Sequence, residues 1–164
     1  MQQLLFSDLA DLTGAVIIGD YRYCLWRVWD LVLPRALFIM LNPSSADETQ
    51  DDATLRRCVS FAKSWSCGSV EITNLFAFRS TYPVMLSQVA DPVGPENTMY
   101  IQQAIARAQV IVCAWGAHKS IGYRDIDVLQ LLDGREVHCL GCTKNGLPRH
   151  PLYVPANTQM QRYP

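Results

Sequence analysis

Four short polar segments hold most of the side chains able to do chemistry. The first runs Leu41-Asn42-Pro43-Ser44-Ser45-Ala46-Asp47-Glu48, with Asp51 and Asp52 close behind. A neutral Asn42 amide can orient a water molecule but is a poor base, so a nearby carboxylate (Asp47, Glu48, Asp51 or Asp52) has to take the proton. Asp51 and Asp52 are equally suited to capping a helix that starts just after them. The second segment is Thr73-Asn74-Leu75-Phe76-Ala77-Phe78-Arg79. The Asn74 amide has a donor and an acceptor and can bond the edge of a planar ligand, or it can simply begin a turn. Phe76 or Phe78 can stack on such a ligand, and either suits a core. In Ala114-Trp115-Gly116-Ala117-His118, the glycine allows close backbone approach, Trp115 suits packing, and His118 and Lys119 suit plain exposure. The fourth segment runs from Thr143 through Lys144, Arg149 and His150 to Pro151-Leu152-Tyr153. Prolines on both sides of Arg149-His150 stiffen the loop and present those side chains. His150 is the strongest catalytic candidate of the three histidines, and its cationic neighbours suit phosphate.

The elements between these segments alternate. Residues 15–19 and 21–29 are β-rich, meet at Gly19-Asp20 and read as a hairpin. Residues 36–41 form a continuous apolar run, as in a strand buried on both faces, and 69–74 form another. Leu55, Cys58, Val59 and Ala62 recur at i, i+3, i+4 and i+7, which predicts an amphipathic helix over 54–65, closed by Gly68. Residues 82–94 read as a short helix and loop, 95–108 as a helix, and 109–115 as the most apolar strand. A short helix over 126–132 with Asp125 as its cap and a strand over 136–140 follow, and the tail from Gly141 is loop-rich. Strands alternating with helices imply a mostly parallel sheet covered on both faces. The expected fold is therefore α/β. It is a three-layer α/β/α domain over residues 1–164, with a four-stranded, mostly parallel central sheet preceded by the hairpin. In such sheets ligands bind beyond the carboxyl ends of the strands, where all four polar segments fall.

Composition narrows the function. At 164 residues the chain is one domain's length, and 49% hydrophobic with 18% charged residues excludes a disordered or low-complexity chain. A net charge of −1 argues against nucleic-acid binding driven by total charge, though a local basic patch remains open. Residues 1–10 carry Asp8 and no basic residue, which speaks against a secretory leader, and no apolar run approaches membrane-spanning length. A cytoplasmic protein with reduced thiols at its six cysteines is expected. Cys139 and Cys142 have CxxC spacing but lack a second ligand pair, so neither metal nor cofactor is expected.

The runs LNPSSADETQDDATLRRC, TNLFAFRST, ADPVGPEN, AWGAH and CTKNGLPRHPLY span nearly the whole chain. They resemble a bacterial and phage family catalogued as a domain of unknown function. More distantly, the order of the four segments resembles the uracil-DNA glycosylase superfamily. That superfamily has an Asp-Pro or Asn-Pro water-activating motif, a base-reading Asn, an apolar strand ending in Trp-Gly, and a His-Pro loop. The matching places are Asn42-Pro43, Asn74, Trp115-Gly116 and His150-Pro151. Asn42 in place of Asp resembles the mismatch-directed branch. Ser44 stands where uracil-specific members have a Tyr that excludes 5-substituted pyrimidines, so the resemblance implies room beside C5 of the base.

What the resemblance implies is a monofunctional DNA glycosylase that flips a base, probing double- or single-stranded DNA, without an obligate protein partner or a membrane. Asn42 would hold water, with Asp47 or Asp52 taking its proton. His150 would stabilise the departing base. Asn74, Ser44 and Phe76 would line the base pocket. Lys144, Arg149 and Arg79 would grip phosphates, and Leu152 or Tyr153 would hold the stack open. Defence against phage whose DNA carries such modified bases is an extension of this expectation. Two other classes remain: a nucleoside or nucleotide N-glycosidase or deoxyribosyltransferase, and a non-enzymatic nucleotide- or DNA-binding module.

Overall fold

The computed structural model describes residues 12–164. The leader argument from residues 1–10 lies outside them. The fold is mixed α/β, with a single seven-stranded sheet and, among the described residues, three α-helices. The strands are β1 (Thr13–Ile18), β2 (Tyr21–Val28), β3 (Arg35–Met40), β4 (Ser69–Asn74), β5 (Val110–Cys113), β6 (His138–Cys139) and β7 (Gln161–Arg162). The helices are α1 (Ala53–Ser64), α2 (Asn97–Arg107) and α3 (Arg124–Leu131).

The sheet runs in the order β1-β2-β4-β3-β5-β6-β7. Pairing is parallel from β4 through β3 and β5 to β6, and antiparallel at both ends. This corrects the expected four-stranded sheet. The hairpin β1–β2 does not precede the sheet but extends it, through β2 pairing with β4. Every residue of β4 is buried, so its outer row of backbone N–H and C=O groups needs a partner, and β2 supplies it. At the far edge β7 covers β6 in a tail that reads as loop, because two polar residues carry no strand signal.

β3 alternates between two cores. Ala36, Phe38 and Met40 pack with Leu55, Cys58, Phe61 and Ala62 of α1. Leu37, Ile39 and Leu41 pack with Ile101, Ala104 and Ile105 of α2 and Val128 of α3. The chain leaves β3 through α1 to pair on one side, then crosses back through α2 to pair on the other, so a strand-order reversal falls at β3. Such a reversal opens a crevice beyond the strand ends. Register aligns those ends: Met40 faces Asn74, Ile39 faces Cys113, and Cys113 faces Cys139.

Two terminators differ from expectation. Asp52 caps α1, its Oδ1 accepting from Leu55 N at 2.8 Å. However, the left-handed residue after the helix is Ser66 (φ 59°), not Gly68. Gly68 instead answers a close approach: a Cβ there would stand 2.0 Å from Asp30 O. Asp125 is not the cap of α3; Tyr123 occupies that place and Asp125 lies in the first turn. Gly68→Ala should therefore destabilise the fold by about 1–3 kcal/mol in chemical denaturation, since backbone, not a flexible side chain, must move.

Candidate functional site

A cavity of about 550 Å³ opens beyond the carboxyl ends of the parallel strands. Asn42, Ser44, Asp52, Asn74, Arg149, His150, Leu152 and Tyr153 all line it. Four separate stretches of sequence thus converge on one cleft, because β3, β4 and β5 end at one level. Gly116 turns the chain out of the strand at φ +75°, in the left-handed region, and its N–H donates to Pro148 O at 2.8 Å. That bond ties the third segment to the fourth.

The Asn42 amide is oriented by backbone. Its Nδ2 donates to Ser80 O at 2.8 Å and to Pro43 O at 3.1 Å, which leaves Oδ1 as the acceptor offered to the cleft. A carboxylate here would face two carbonyl oxygens, so the site is built for Asn rather than Asp. Asn74 is 2% exposed. Its Oδ1 accepts a long bond, 3.4 Å, from Arg22 Nη2. Asn74 is held through its backbone: buried Asn97 donates from Nδ2 to Asn74 O and Leu75 O at 2.9 and 3.0 Å.

His150 begins a 3-10 turn, Pro151–Tyr153, and its Nδ1 accepts from Leu152 N at 3.1 Å. The remaining ring proton is therefore on Nε2. Burial lowers its pKa from 6.5 to about 4, against the opposing pull of Asp52. At neutral pH the ring is an uncharged donor. Arg57 of α1 fixes this turn by donating to Pro151 O at 3.1 Å and Val154 O at 2.7 Å. Leu152 and Tyr153 stand beyond it, 41% and 80% exposed.

Asp52 is the one carboxylate among the cavity-lining residues. Its Oδ2 accepts from Ala46 N at 3.3 Å while Oδ1 caps α1, so capping and the cleft share one side chain. Asp51 pairs instead with Arg27 at 2.9 Å.

Four expected site residues are placed elsewhere. Asp47 turns its Oδ1 to the Thr49 and Gln50 N–H groups at 2.9 and 2.8 Å, which lower its pKa and occupy it in a loop. Phe76 is 5% exposed and belongs to the core shared with α2, because the chain beyond the end of β4 stays buried. Lys144 is exposed on the turn closed by Thr143 N donating to Leu147 O, outside the cavity lining. Arg79 is half-buried and also outside that lining.

The structure also brings to the cleft three residues that had no contact role in the sequence reading. His118, expected at the surface, lines the cavity with Nδ1 accepting from Ser120 N at 3.1 Å, so it too presents Nε2–H. Trp115 lines it with a buried Nε1–H that has no acceptor. Arg22 of β2 is 3% exposed and reaches the cavity from a hairpin that looked purely structural. An arginine among the β-rich residues of β2, which also holds Arg27, gives no sequence signal of a site. Each buried N–H left without a partner costs about 1–3 kcal/mol, and both orphan groups lining the cleft, on Arg22 and Trp115, are donors. The cleft therefore favours an acceptor-rich ligand.

Among the described residues, no group of three or more His, Cys, Asp or Glu is arranged to hold a metal, and no helix is long and apolar enough to cross a membrane. Cys139 and Cys142 lie with their sulfurs 3.8 Å apart as free thiols. Residues 22–152, which hold every cleft-lining residue but Tyr153, match the family described as Protein of unknown function (DUF1643). The chain belongs to this family. No curated protein and no solved structure matches it. For this DUF1643 member the chemistry must therefore be argued from the cleft.

The depressed His150 pKa has a sign. Stability from keeping the ring neutral is complete above pH 6.5 and is lost as pH falls through about 4. His150→Asn keeps an acceptor for Leu152 N–H without the titration. Between pH 7 and pH 4, wild type should lose up to roughly 3 kcal/mol more than His150→Asn in urea denaturation.

Proposed function

We propose that this protein is a monofunctional DNA glycosylase acting on a flipped, 5-substituted pyrimidine, in the cytoplasm, on double- or single-stranded DNA. The observation that carries this reading is the meeting of Asn42, Asn74 and His150 in one cleft at the strand-order reversal. We further read the two cores on opposite faces of β3 as the interfaces between the sheet and two helical layers, in a three-layer domain of the uracil-DNA glycosylase type.

The chemistry follows from the geometry. Asn42 Oδ1 accepts a hydrogen bond from a water and aims its oxygen at C1′. As the C1′–N1 bond lengthens, its electron pair moves to the base, and the neutral His150 donates from Nε2 to a base oxygen. The water's proton passes to Asp52. Asn74 offers Nδ2 to the base edge. Ser44 and Thr81, whose hydroxyls lie 3.4 Å apart, form a small polar wall that leaves space for a substituent. Arg149 meets a phosphate, and Leu152 and Tyr153 at the rim replace the flipped base in the stack. The cavity is several times the size needed for a bare ring, within the range of ordinary ligand sites of about 300–1,000 Å³.

The net charge of −1 favours a second reading, a nucleotide N-glycosidase with the same base contacts. Incubation with unmodified, uracil-containing, hydroxymethylated and glucosylated genomic DNAs separates the two. Abasic sites with one modified base released, identified by mass spectrometry, are expected. Asn42→Ala and His150→Ala should each lower release by about 10²–10³-fold with the fold retained. Turnover of free nucleotides without abasic sites would favour the second reading, and release unaffected in both variants would refute these roles.

A further inference from the structure

Arg22 is a buried cation that no anion pairs with among the described residues. Its Nη1 donates to Ala46 O at 3.0 Å and its Nη2 makes the long bond to Asn74 Oδ1, while Nε has no partner. Among the described residues the ion pairs join Arg27 to Asp51, Arg35 and Arg107 to Glu71, and His138 to Glu136; none reaches Arg22. Asp52 acts on it only at a distance, and Arg79 and Arg27 oppose it. Burial is the dominant influence and lowers its pKa to about 10, so it remains charged at neutral pH. A fully buried, charged guanidinium is normally paired. Arg107, by comparison, is clasped by Glu71 through Nε and Nη2 at 3.0 and 2.5 Å. Arg22 instead borders the cavity beside Asn74 and spends only two of its five N–H donors on the protein.

We propose that Arg22 and Asn74 make the floor of the cleft a subsite for an anionic planar ring, a pyrimidine carrying negative charge on its ring nitrogen and oxygens. Its identity as the leaving group rests on the glycosylase reading; the binding itself does not. In that reading C1′–N1 breaks heterolytically and both electrons stay with the base, spread over N1 and O2. The water oxygen bonds C1′, and the water's proton goes to Asp52 and then to solvent. Arg22 meets the charge on the base, which is protonated from solvent on release. Arg22 is then a catalytic residue, complementary to charge that develops only as the bond breaks.

Titration calorimetry on the full chain tests this with three probes: barbiturate, a pyrimidine ring that is an anion at neutral pH; uracil, its neutral counterpart; and inorganic sulfate. Wild type should bind barbiturate at least about tenfold more tightly than uracil. Arg22→Gln should remove that preference, and Arg22→Lys should restore part of it. Equal binding of barbiturate and uracil, or a preference that survives Arg22→Gln, would overturn the subsite. Sulfate bound through Arg22 in place of barbiturate would also overturn it, assigning the charge to a phosphate. Should Arg22→Gln not fold by circular dichroism, the wild-type preference and Arg22→Lys still decide.

Single-turnover base release gives the separate arm. Arg22→Gln should slow release by about 10²-fold with partial rescue by Arg22→Lys and unchanged DNA affinity. Absence of release from every DNA would sink the glycosylase reading while leaving the calorimetric result standing.

Discussion

β3 has no free side. Both its edges are hydrogen-bonded, to β4 and β5, and its two faces lie in different cores. A strand held this way leaves its chain only one exit, straight out from its carboxyl end. Asn42-Pro43 lies at that exit, where proline lacks an N–H to extend the ladder. The neighbouring ends are bonded to the same strand: Leu75 N donates to Met40 O, Phe76 N to Leu41 O and Ala114 N to Ile39 O. The convergence of the four polar segments is therefore a consequence of sheet register. Their side chains meet because their backbones are pinned at one level.

The cleft's inner shell is organised by backbone more than by side-chain pairs. Asn42 is anchored on two carbonyls, Asp52 on two amide N–H groups, and His150 and His118 each on the N–H two residues onward. Such bonds fix which atom faces the ligand. Asn42 keeps an acceptor, while the two imidazoles keep donors. Arg57 and Asn97 extend this support outward, one clasping the His150 turn and the other the end of β4. Rigid mounting of this kind is what a site needs if charge is to be met without reorganisation.

Periodicity and strand-end polarity made much of this legible in the sequence. The apolar runs of β3, β4 and β5 and the i, i+3, i+4, i+7 spacing of α1 locate the elements within a few residues. Asn42 and Asn74 were visible because each is an abrupt polar residue at the end of a buried run, and His150 because prolines flank Arg149-His150 in a polar loop. What escaped has physical reasons too. β7 is two polar residues long and exists only because β6 has an open edge. Phe76 looked like a stacking platform, but the chain re-enters the core after Asn74. Asp47 and Asp52 are chemically alike in sequence; only the loop's own N–H groups decide that Asp47 is consumed locally. Arg22 sits in a hairpin whose β-rich composition suggests nothing but sheet, and its place at the cleft depends on β2 joining β4, a long-range pairing.

The charges of the cleft then constrain how any reaction there can run. Asp52 pulls the pKa values of both Arg22 and His150 upward, yet burial prevails at each. For His150 the outcome is neutrality, because a pKa near 4 leaves no proton to give at pH 7. For Arg22 the outcome is charge, because a pKa near 10 still lies well above neutrality. The same desolvation thus divides two basic groups into an uncharged donor and a cation. A ligand that gains negative charge here cannot be neutralised by proton transfer from His150. In the proposed reaction it is met by hydrogen bonds and by the fixed charge of Arg22, while Asp52, the one carboxylate lining the cleft, takes the water's proton. That division of labour fits bond cleavage in which the leaving group departs as an anion rather than as a protonated neutral molecule.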